Sequence, residues 1–120
     1  MQTSDRLILL KDWREALAGF VRSDGPDLSM RQMAIMMTVY MCPAPHTVRG
    51  LAADLGISKP AVTRALDRLS ALGLLKRVQD EADKRSVLIF RTTIGAVYLN
   101  DFAEMVQSAS TDAQKEAVDG

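Results

Sequence analysis

Near the middle of the chain the sequence reads Gly56-Ile57-Ser58-Lys59-Pro60-Ala61-Val62-Thr63-Arg64. Ser58 is a favoured N-cap residue and Pro60 is tolerated in the first turn of a helix, so the run predicts a helix that begins just after Ser58. Gly56 stands where a preceding helix would need a left-handed residue to end. The stretch therefore predicts a tight turn between two helices.

Apolar residues on both sides of this turn recur at helical spacing. Before the turn they are Val48, Leu51, Ala52 and Leu55, and after it they are Val62, Ala65, Leu66, Leu69 and Leu72. Thr47 is available as the N-cap of the first helix, and Gly73 ends the second. Two amphipathic helices joined by a turn that contains glycine predict a helix-turn-helix.

A β-hairpin is predicted next. Leu74–Val78 and Ser86–Arg91 have the composition of two short strands, and the polar run Gln79–Arg85 between them is typical of an exposed loop. A helix-turn-helix followed by such a hairpin is a winged helix, so we expect a mainly α fold with a small β-hairpin wing.

Helices are predicted on both flanks. The first runs from about Ser4 to Arg22, and a second, opened by the capping box of Ser29 and Gln32, is ended by Pro43. A last helix is capped by Thr92 or Thr93 and has an apolar stripe of Ile94, Val97, Tyr98, Phe102, Met105 and Val106. Its pattern is lost after about Gln107, so we expect residues 111–120 to form a disordered tail.

Length and composition exclude several classes of protein. With 120 residues, the chain is expected to form a single domain over 1–120. Its one cysteine, Cys42, indicates a reducing compartment, and no apolar run is long enough to span a membrane, which predicts a cytoplasmic protein. Cys42 and His46 are four residues apart, but a structural zinc site needs four ligands, so we predict no metal and no cofactor. Cys42, beside Pro43, is interpreted as structural.

The charge distribution fits a polyanionic partner and an ordinary solvated surface equally well, although the net charge of zero taken alone argues against a polyanion. Residues 57–91 hold eight basic and four acidic residues, whereas residues 92–120 hold one basic and five acidic residues. The first turns of the second helix present Ser58, Lys59, Thr63 and Arg64, polar groups suited to base edges in a major groove. Lys84 and Arg85 in the hairpin are suited to a minor groove or its phosphates.

The ordered set of these motifs resembles the winged helix-turn-helix of the MarR (multiple antibiotic resistance regulator) transcription factors. The resemblance covers roughly 28–99, and it rests on the run from Val48 to Leu69, on Leu72-Gly73-Leu74-Leu75 and on Asp83-Lys84-Arg85-Ser86. It implies a homodimer that binds a pseudo-palindromic operator in double-stranded DNA. It also implies that Asp83 steadies Arg85 in the wing.

Two groups of functional residues follow. The predicted DNA-binding residues are Thr47, Ser58, Lys59, Pro60, Ala61, Thr63, Arg64, Arg68, Lys84 and Arg85. For Arg68, pairing with Asp67 or another neighbour is an equal alternative. Dimerisation is assigned to residues 1–27 and 93–110, through Leu10, Trp13, Leu17, Phe20, Tyr98, Phe102 and Met105.

Two departures from the family pattern limit what the resemblance implies. Family members run longer after the wing, where more helix builds the dimer and often an effector pocket, so a small-molecule effector is supported less than DNA is. Arg91 stands where the family more often has an apolar residue. The alternative function is a winged-helix module that binds proteins rather than DNA. An enzyme is disfavoured, because the chain has few candidates for a nucleophile and base pair.

Overall fold

A computed structural model describes residues 3–119, and the side chains of residues 4–111. Over this part of the chain the elements are α1 (Thr3–Arg22), α2 (Met30–Met41), α3 (Val48–Leu55), α4 (Lys59–Ala71), β1 (Leu75–Gln79), β2 (Val87–Arg91) and α5 (Thr93–Asp119). The prediction of a mainly α fold with one β-hairpin is confirmed. The described residues include no helix long and apolar enough to cross a membrane.

The chain folds into two compact units. One comprises residues 28–99, and the other comprises residues 1–27 together with 100–120. The larger unit contains the helix-turn-helix and the hairpin.

Helix α2 supplies the core of the larger unit. Ser29 and Gln32 form the predicted capping box, since the Gln32 amide donates to Ser29 Oγ and the Ser29 amide donates to Gln32 Oε1. Ile35, Met36 and Val39 are fully buried. Met36 is also part of this core, whereas Met30 and Met41, at the two ends of α2, are exposed.

The turn between α3 and α4 has the predicted caps. Thr47 Oγ1 accepts the Gly50 amide at 2.9 Å, and Ser58 Oγ accepts the Ala61 amide at 3.2 Å. Gly56 has a φ of 65°, a left-handed conformation that is unfavourable for residues other than glycine. Val62, Leu66 and Leu69 are completely buried, which confirms the predicted inward face of α4.

The two strands pair antiparallel, with Leu75 opposite Arg91 and Gln79 opposite Val87. Each strand begins one residue later in the chain than predicted. Side chains hold the connecting loop: Asp80 Oδ1 accepts the Ala82 amide at 2.9 Å, and Gln79 Nε2 donates to the Lys84 carbonyl at 2.7 Å. The loop is therefore a defined turn rather than an unstructured connection.

The junction between β2 and α5 is built around a tyrosine. Tyr40 Oη accepts the Thr92 amide at 2.9 Å and lies 2.8 Å from the Leu74 carbonyl. Thr92 Oγ1 accepts the Gly95 amide, which makes Thr92 the predicted cap of α5. A Cβ at Gly95 would collide with the Tyr40 hydroxyl and the Leu74 carbonyl, so α5 can start here only because residue 95 is glycine.

Part of the predicted apolar stripe of α5 is wrong. Ile94 and Val97 are 61% and 55% exposed, whereas Gly95 and Tyr98 are buried. Successive residues of a helix are rotated by about 100°, so the close contact at Gly95 turns Ile94 away from the core. Tyr98 is only 8% exposed in the single chain, and its assignment to a dimer surface stays a prediction.

The second unit has an aromatic centre. The rings of Phe20 and Phe102 meet edge to face with their centroids 5.3 Å apart, and Trp13 lies 6.0 Å from Phe102. Phe20 and Phe102 are 9% and 4% exposed. Both rings are therefore largely covered within this unit, and their assignment to a dimer surface stays a prediction.

The other residues of the predicted dimer surface differ in exposure. Leu10, Trp13 and Leu17 are 64%, 43% and 50% exposed, so their apolar surface remains available. Met105 is half-buried and faces Gly19 within the same unit.

Helix α5 is longer than predicted. It continues to Asp119 rather than ending near Gln107. The predicted disordered tail, residues 111–120, lies for the most part outside the residues whose side chains are described.

Candidate nucleic-acid interface

A groove of about 400 Å³ lies between the start of α3, the start of α4 and the hairpin. It is lined by Thr47, Val48, Arg49, Lys59, Thr63, Asp83, Arg85, Ser86 and Val87. Five of these residues, from three separate elements of the chain, were predicted from the sequence: Thr47, Lys59, Thr63, Asp83 and Arg85. The fold therefore brings the start of α4 and the hairpin to one surface.

The groove carries an excess of positive charge. Arg49, Lys59 and Arg85 line it together with a single carboxylate, Asp83. Thr47, Thr63 and Ser86 add hydroxyl groups, which donate hydrogen bonds to phosphate oxygens or base edges. A lining in which cations and hydroxyl groups outnumber apolar side chains suits an anionic polymer better than an apolar small molecule.

Asp83 and Arg85 form a local unit in the wing. Asp83 Oδ1 accepts the backbone amide of Arg85 at 3.1 Å and lies 3.7 Å from its Nε. The Arg85 side chain is nonetheless 95% exposed. This geometry fits the role of Asp83 implied by the family resemblance, because the carboxylate orients the arginine without burying it.

Five predicted residues of α4 and its cap lie outside the groove, and four of them are exposed. Ser58, Pro60, Arg64 and Arg68 are exposed on the outer side of the helix. Lys84 is exposed at the hairpin turn, where its carbonyl accepts Gln79 Nε2. These side chains are accessible to a macromolecule that covers both the groove and the outer face of α4.

Ala61 differs from the other predicted DNA-binding residues of α4 because it is buried. It is only 7% exposed. Ala61 lies one residue before Val62 and four before Ala65, on the face that α4 packs against the core. Its methyl group therefore contributes to the packing of α4, and a contact with DNA stays a prediction.

Asp67 pairs with the hairpin. Its Oδ1 lies 2.8 Å from Arg77 Nη1, which joins α4 to β1. Both side chains are partly exposed, so the pair is worth less than about 1 kcal/mol. It nevertheless links α4 to the hairpin, a contact that the predicted pairing of Asp67 with Arg68 does not include.

The groove is also lined by four residues that the sequence did not predict to bind DNA: Val48, Arg49, Ser86 and Val87. A signal existed for Arg49, because a basic residue in the first turn of a helix is opposed by the helix dipole. Its position there suggests an anion supplied from outside the helix. Ser86 and Val87 carry no comparable signal, since only the pairing of the hairpin brings them to the groove.

Cys42 and His46 are joined by a hydrogen bond that does not involve the thiol. His46 Nε2 is hydrogen-bonded to the Cys42 carbonyl at 3.1 Å, and the Cys42 thiol is exposed. Across the residues whose side chains are described, no three His, Cys, Asp or Glu side chains are grouped to bind a metal ion.

Helices α3 and α4, their left-handed turn and the hairpin that follows define a winged helix-turn-helix. The sequence model of the MarR family matches residues 28–87. The chain therefore belongs to the MarR family, and it is a transcriptional regulator. No curated protein matches the sequence.

Solved structures of regulators have the same fold. Transcriptional regulator Tm0710 from Thermotoga maritima is 24% identical with a TM-score of 0.71, over 92% of this chain and 72% of that one. Wild-type MarR from E. coli, in its apo form, is 26% identical with a TM-score of 0.65, over 97% and 85%. S. aureus MepR bound to ethidium bromide is 20% identical with a TM-score of 0.71, over 97% and 83%.

Proposed function

We propose that this regulator is a homodimeric repressor that binds a pseudo-palindromic operator in double-stranded DNA. The tip of α4 enters the major groove, where Lys59, Thr63 and Arg64 contact bases and phosphates. The hairpin places Arg85 at the adjacent minor groove. The observation that carries the proposal is the convergence of Arg49, Lys59 and Arg85 on one groove between helix and wing.

The protein-interaction alternative is less consistent with this surface. A module that had lost DNA binding would have no need for three cations and three hydroxyl groups on one groove. Protein interfaces instead concentrate aromatic and other apolar residues at their centre. Here the apolar residues of the groove are limited to Val48 and Val87.

A homodimer is supported by the exposed apolar residues of α1. Leu10, Trp13 and Leu17 occur at spacings of three and four residues, so they share one face of the helix. A soluble protein seldom leaves such a face in water. A second copy of the chain would cover it and would also place two recognition helices on one operator.

A small-molecule effector is not included in the proposal. MepR has been crystallised with ethidium bromide, but that likeness supports only the fold. The cavity beside Cys42 and His46 measures about 220 Å³ and opens to the surface. It is smaller than the ~300–1,000 Å³ of typical ligand pockets.

Selection of DNA from a random duplex pool tests the proposed function. The expected result is an enriched motif with two-fold-related half-sites about one helical turn apart, roughly 10–10.5 base pairs between centres. The triple variant Lys59→Ala, Arg64→Ala and Arg85→Ala is the control and should enrich no motif. A parent chain that enriches no sequence would contradict the proposal.

A further inference from the structure

The side chain of Arg91, the last residue of β2, reaches the C-terminal end of α2. Its Nε donates to the Val39 carbonyl at 2.9 Å, and its Nη2 donates to the Cys42 carbonyl at 3.3 Å. Its Cζ lies 5.8 Å from the centroid of the Tyr40 ring. One side chain therefore satisfies two carbonyls and faces an aromatic ring at the same helix end.

The end of α2 requires such a donor. In a continuing helix the Val39 carbonyl would accept the amide of residue 43, but residue 43 is proline and has no N–H. The last backbone bond of the helix runs from the Cys42 amide to the Thr38 carbonyl, after which Cys42 is extended. Arg91 Nε supplies the hydrogen bond that Pro43 cannot, and its charge complements the negative end of the helix dipole.

The segment that follows α2, residues 42–47, also pairs with the middle of β2. The Ile89 amide donates to the His46 carbonyl at 2.9 Å, and Leu88 forms a β-bridge with Thr47. Thr47 in turn caps α3 and lines the groove. Residues 42–47 are thus a common support for the wing and for the first helix of the helix-turn-helix.

Arg91 contributes the side-chain hydrogen bonds between β2 and the end of α2. The bonds from Ile89 and Leu88 involve backbone atoms, which most substitutions leave intact. Thr92 is bound to Tyr40 through its own amide. A substitution of Arg91 selectively removes its two hydrogen bonds between β2 and α2. An apolar residue at this position cannot replace them.

We propose that Arg91 is a positioning residue for operator binding. Its hydrogen bonds to the end of α2 fix the orientation of β2. The start of β2 in turn positions Arg85 and Ser86 on the side of the groove opposite Thr47 and Lys59. Arg91 itself makes no contact with DNA. This inference rests on the proposed function, because it concerns the wing contact that the regulator makes with its operator.

The test is a double-mutant cycle on the full chain. Affinities are measured by fluorescence anisotropy on a labelled 30-base-pair duplex taken from the random-pool selection. The variants are Arg91→Met, which keeps side-chain length but removes the donors, and Arg91→Lys, which keeps the charge but loses the planar fork. Lys76→Met is the matched control, because it removes one exposed positive charge from the same hairpin.

Coupling to Arg85 is the expected result. Arg85→Ala should weaken binding about tenfold in the parent chain but about twofold or less in the Arg91→Met background. Arg64→Ala, on α4, should cost about tenfold in both backgrounds. Arg91→Lys should give an intermediate coupling, and Lys76→Met should leave the effect of Arg85→Ala unchanged.

Two further measurements separate positioning from other roles. The salt dependence of binding should keep its slope in Arg91→Met, whereas loss of a phosphate contact would reduce it by about 0.9. Hydrogen exchange of the amides of residues 80–89 should be faster in Arg91→Met than in Lys76→Met. If Arg91→Met does not fold, the same cycle is read with Arg91→Lys.

The outcomes distinguish the two proposals. If the parent chain binds DNA and Arg85→Ala costs the same with or without Arg91, the positioning role is wrong and the proposed function stands. A reduced salt slope in Arg91→Met would likewise overturn it, because Arg91 would then contact DNA directly. If the parent chain binds no duplex, the proposed function fails first and the positioning role fails with it.

Discussion

The hydroxyl of Tyr40 lies at the meeting point of three segments: it accepts the Thr92 amide at 2.9 Å and stands 2.8 Å from the Leu74 carbonyl. Leu74 precedes β1 and Thr92 follows β2, so this one oxygen binds both strands of the wing at their base. The orientation of the wing thus depends on a side chain of α2.

Replacing Tyr40 by phenylalanine should destabilise the larger unit. The substitution leaves the Thr92 amide and the Leu74 carbonyl without this partner in a partly buried site, which costs about 1–3 kcal/mol in the free energy of unfolding. Chemical denaturation followed by circular dichroism measures the change. Thr38→Val is a suitable control, since Thr38 Oγ1 donates only to the Ala34 carbonyl within its own helix. Equal stability of Tyr40→Phe and the parent would contradict the assigned role of the hydroxyl.

Gly95→Ala should be more harmful than a helix propensity scale suggests. Alanine normally favours a helix over glycine by about 1 kcal/mol. Here its Cβ would collide with the Tyr40 hydroxyl and with the Leu74 backbone, so we expect a net loss of about 1–3 kcal/mol in the free energy of unfolding.

Gly25→Ala provides the comparison for that variant. A Cβ at Gly25 meets only Ser23 Oγ at 3.6 Å, an ordinary contact. Thermal unfolding of both variants should therefore show a lower Tm for Gly95→Ala alone. A stabilising effect of Gly95→Ala would show that α5 does not approach Tyr40 this closely.

Loss of Arg64 or Arg85 should weaken operator binding without unfolding the chain. Both side chains are exposed, and each removed base or phosphate contact should cost about 1–3 kcal/mol of binding free energy. Mobility-shift titrations at several salt concentrations measure the affinity and the salt slope together. Arg22→Ala, which removes a charge from the last turn of α1, should bind like the parent. Unchanged affinity of the double variant Arg64→Ala and Arg85→Ala would refute the recognition assignment.

Charged substitutions should divide the predicted dimer residues into two groups. Leu10→Glu and Leu17→Glu introduce charge on an exposed apolar face, so the chain should stay folded but dissociate, with a loss of about 2 kcal/mol or more per residue. Phe102→Glu instead buries a carboxylate beside Phe20 and should unfold its unit.

Sedimentation velocity and circular dichroism together separate these results. Lys11→Glu, at an exposed polar position of α1, should leave both association and folding unchanged. A combined Leu10→Glu and Leu17→Glu variant that sediments as the parent dimer would place the interface elsewhere. A monomeric parent would contradict the homodimer itself.

Local rules account for the parts of the fold that were predicted correctly. Caps at Ser29, Thr47 and Ser58 depend on a side chain and an amide three residues away, so their sequence spacing is sufficient to locate them. Gly56 was equally predictable, because a left-handed helix end strongly favours glycine. The boundaries of α3 and α4 follow from these residues.

Residues whose environment is set by distant segments were predicted less well. Phe20 and Phe102 are aromatic residues of a type common in interfaces. Only their packing against each other shows that they form an internal core. Ala61 has the position of a reading residue, but the rotation of α4 turns it inward. Arg49 was missed because the hairpin that completes its groove lies more than thirty residues further along the chain.

The amino-acid sequence alone established a winged helix-turn-helix and the basic residues of its tip and wing, because capping, turn and strand signals act over a few residues. Tertiary structure decided which of those residues share a surface. It brought Thr47, Lys59 and Arg85 to one groove, and it placed Arg91 where it donates to the Val39 carbonyl in place of Pro43. Both arrangements depend on pairing between segments far apart in the chain, which no local pattern encodes.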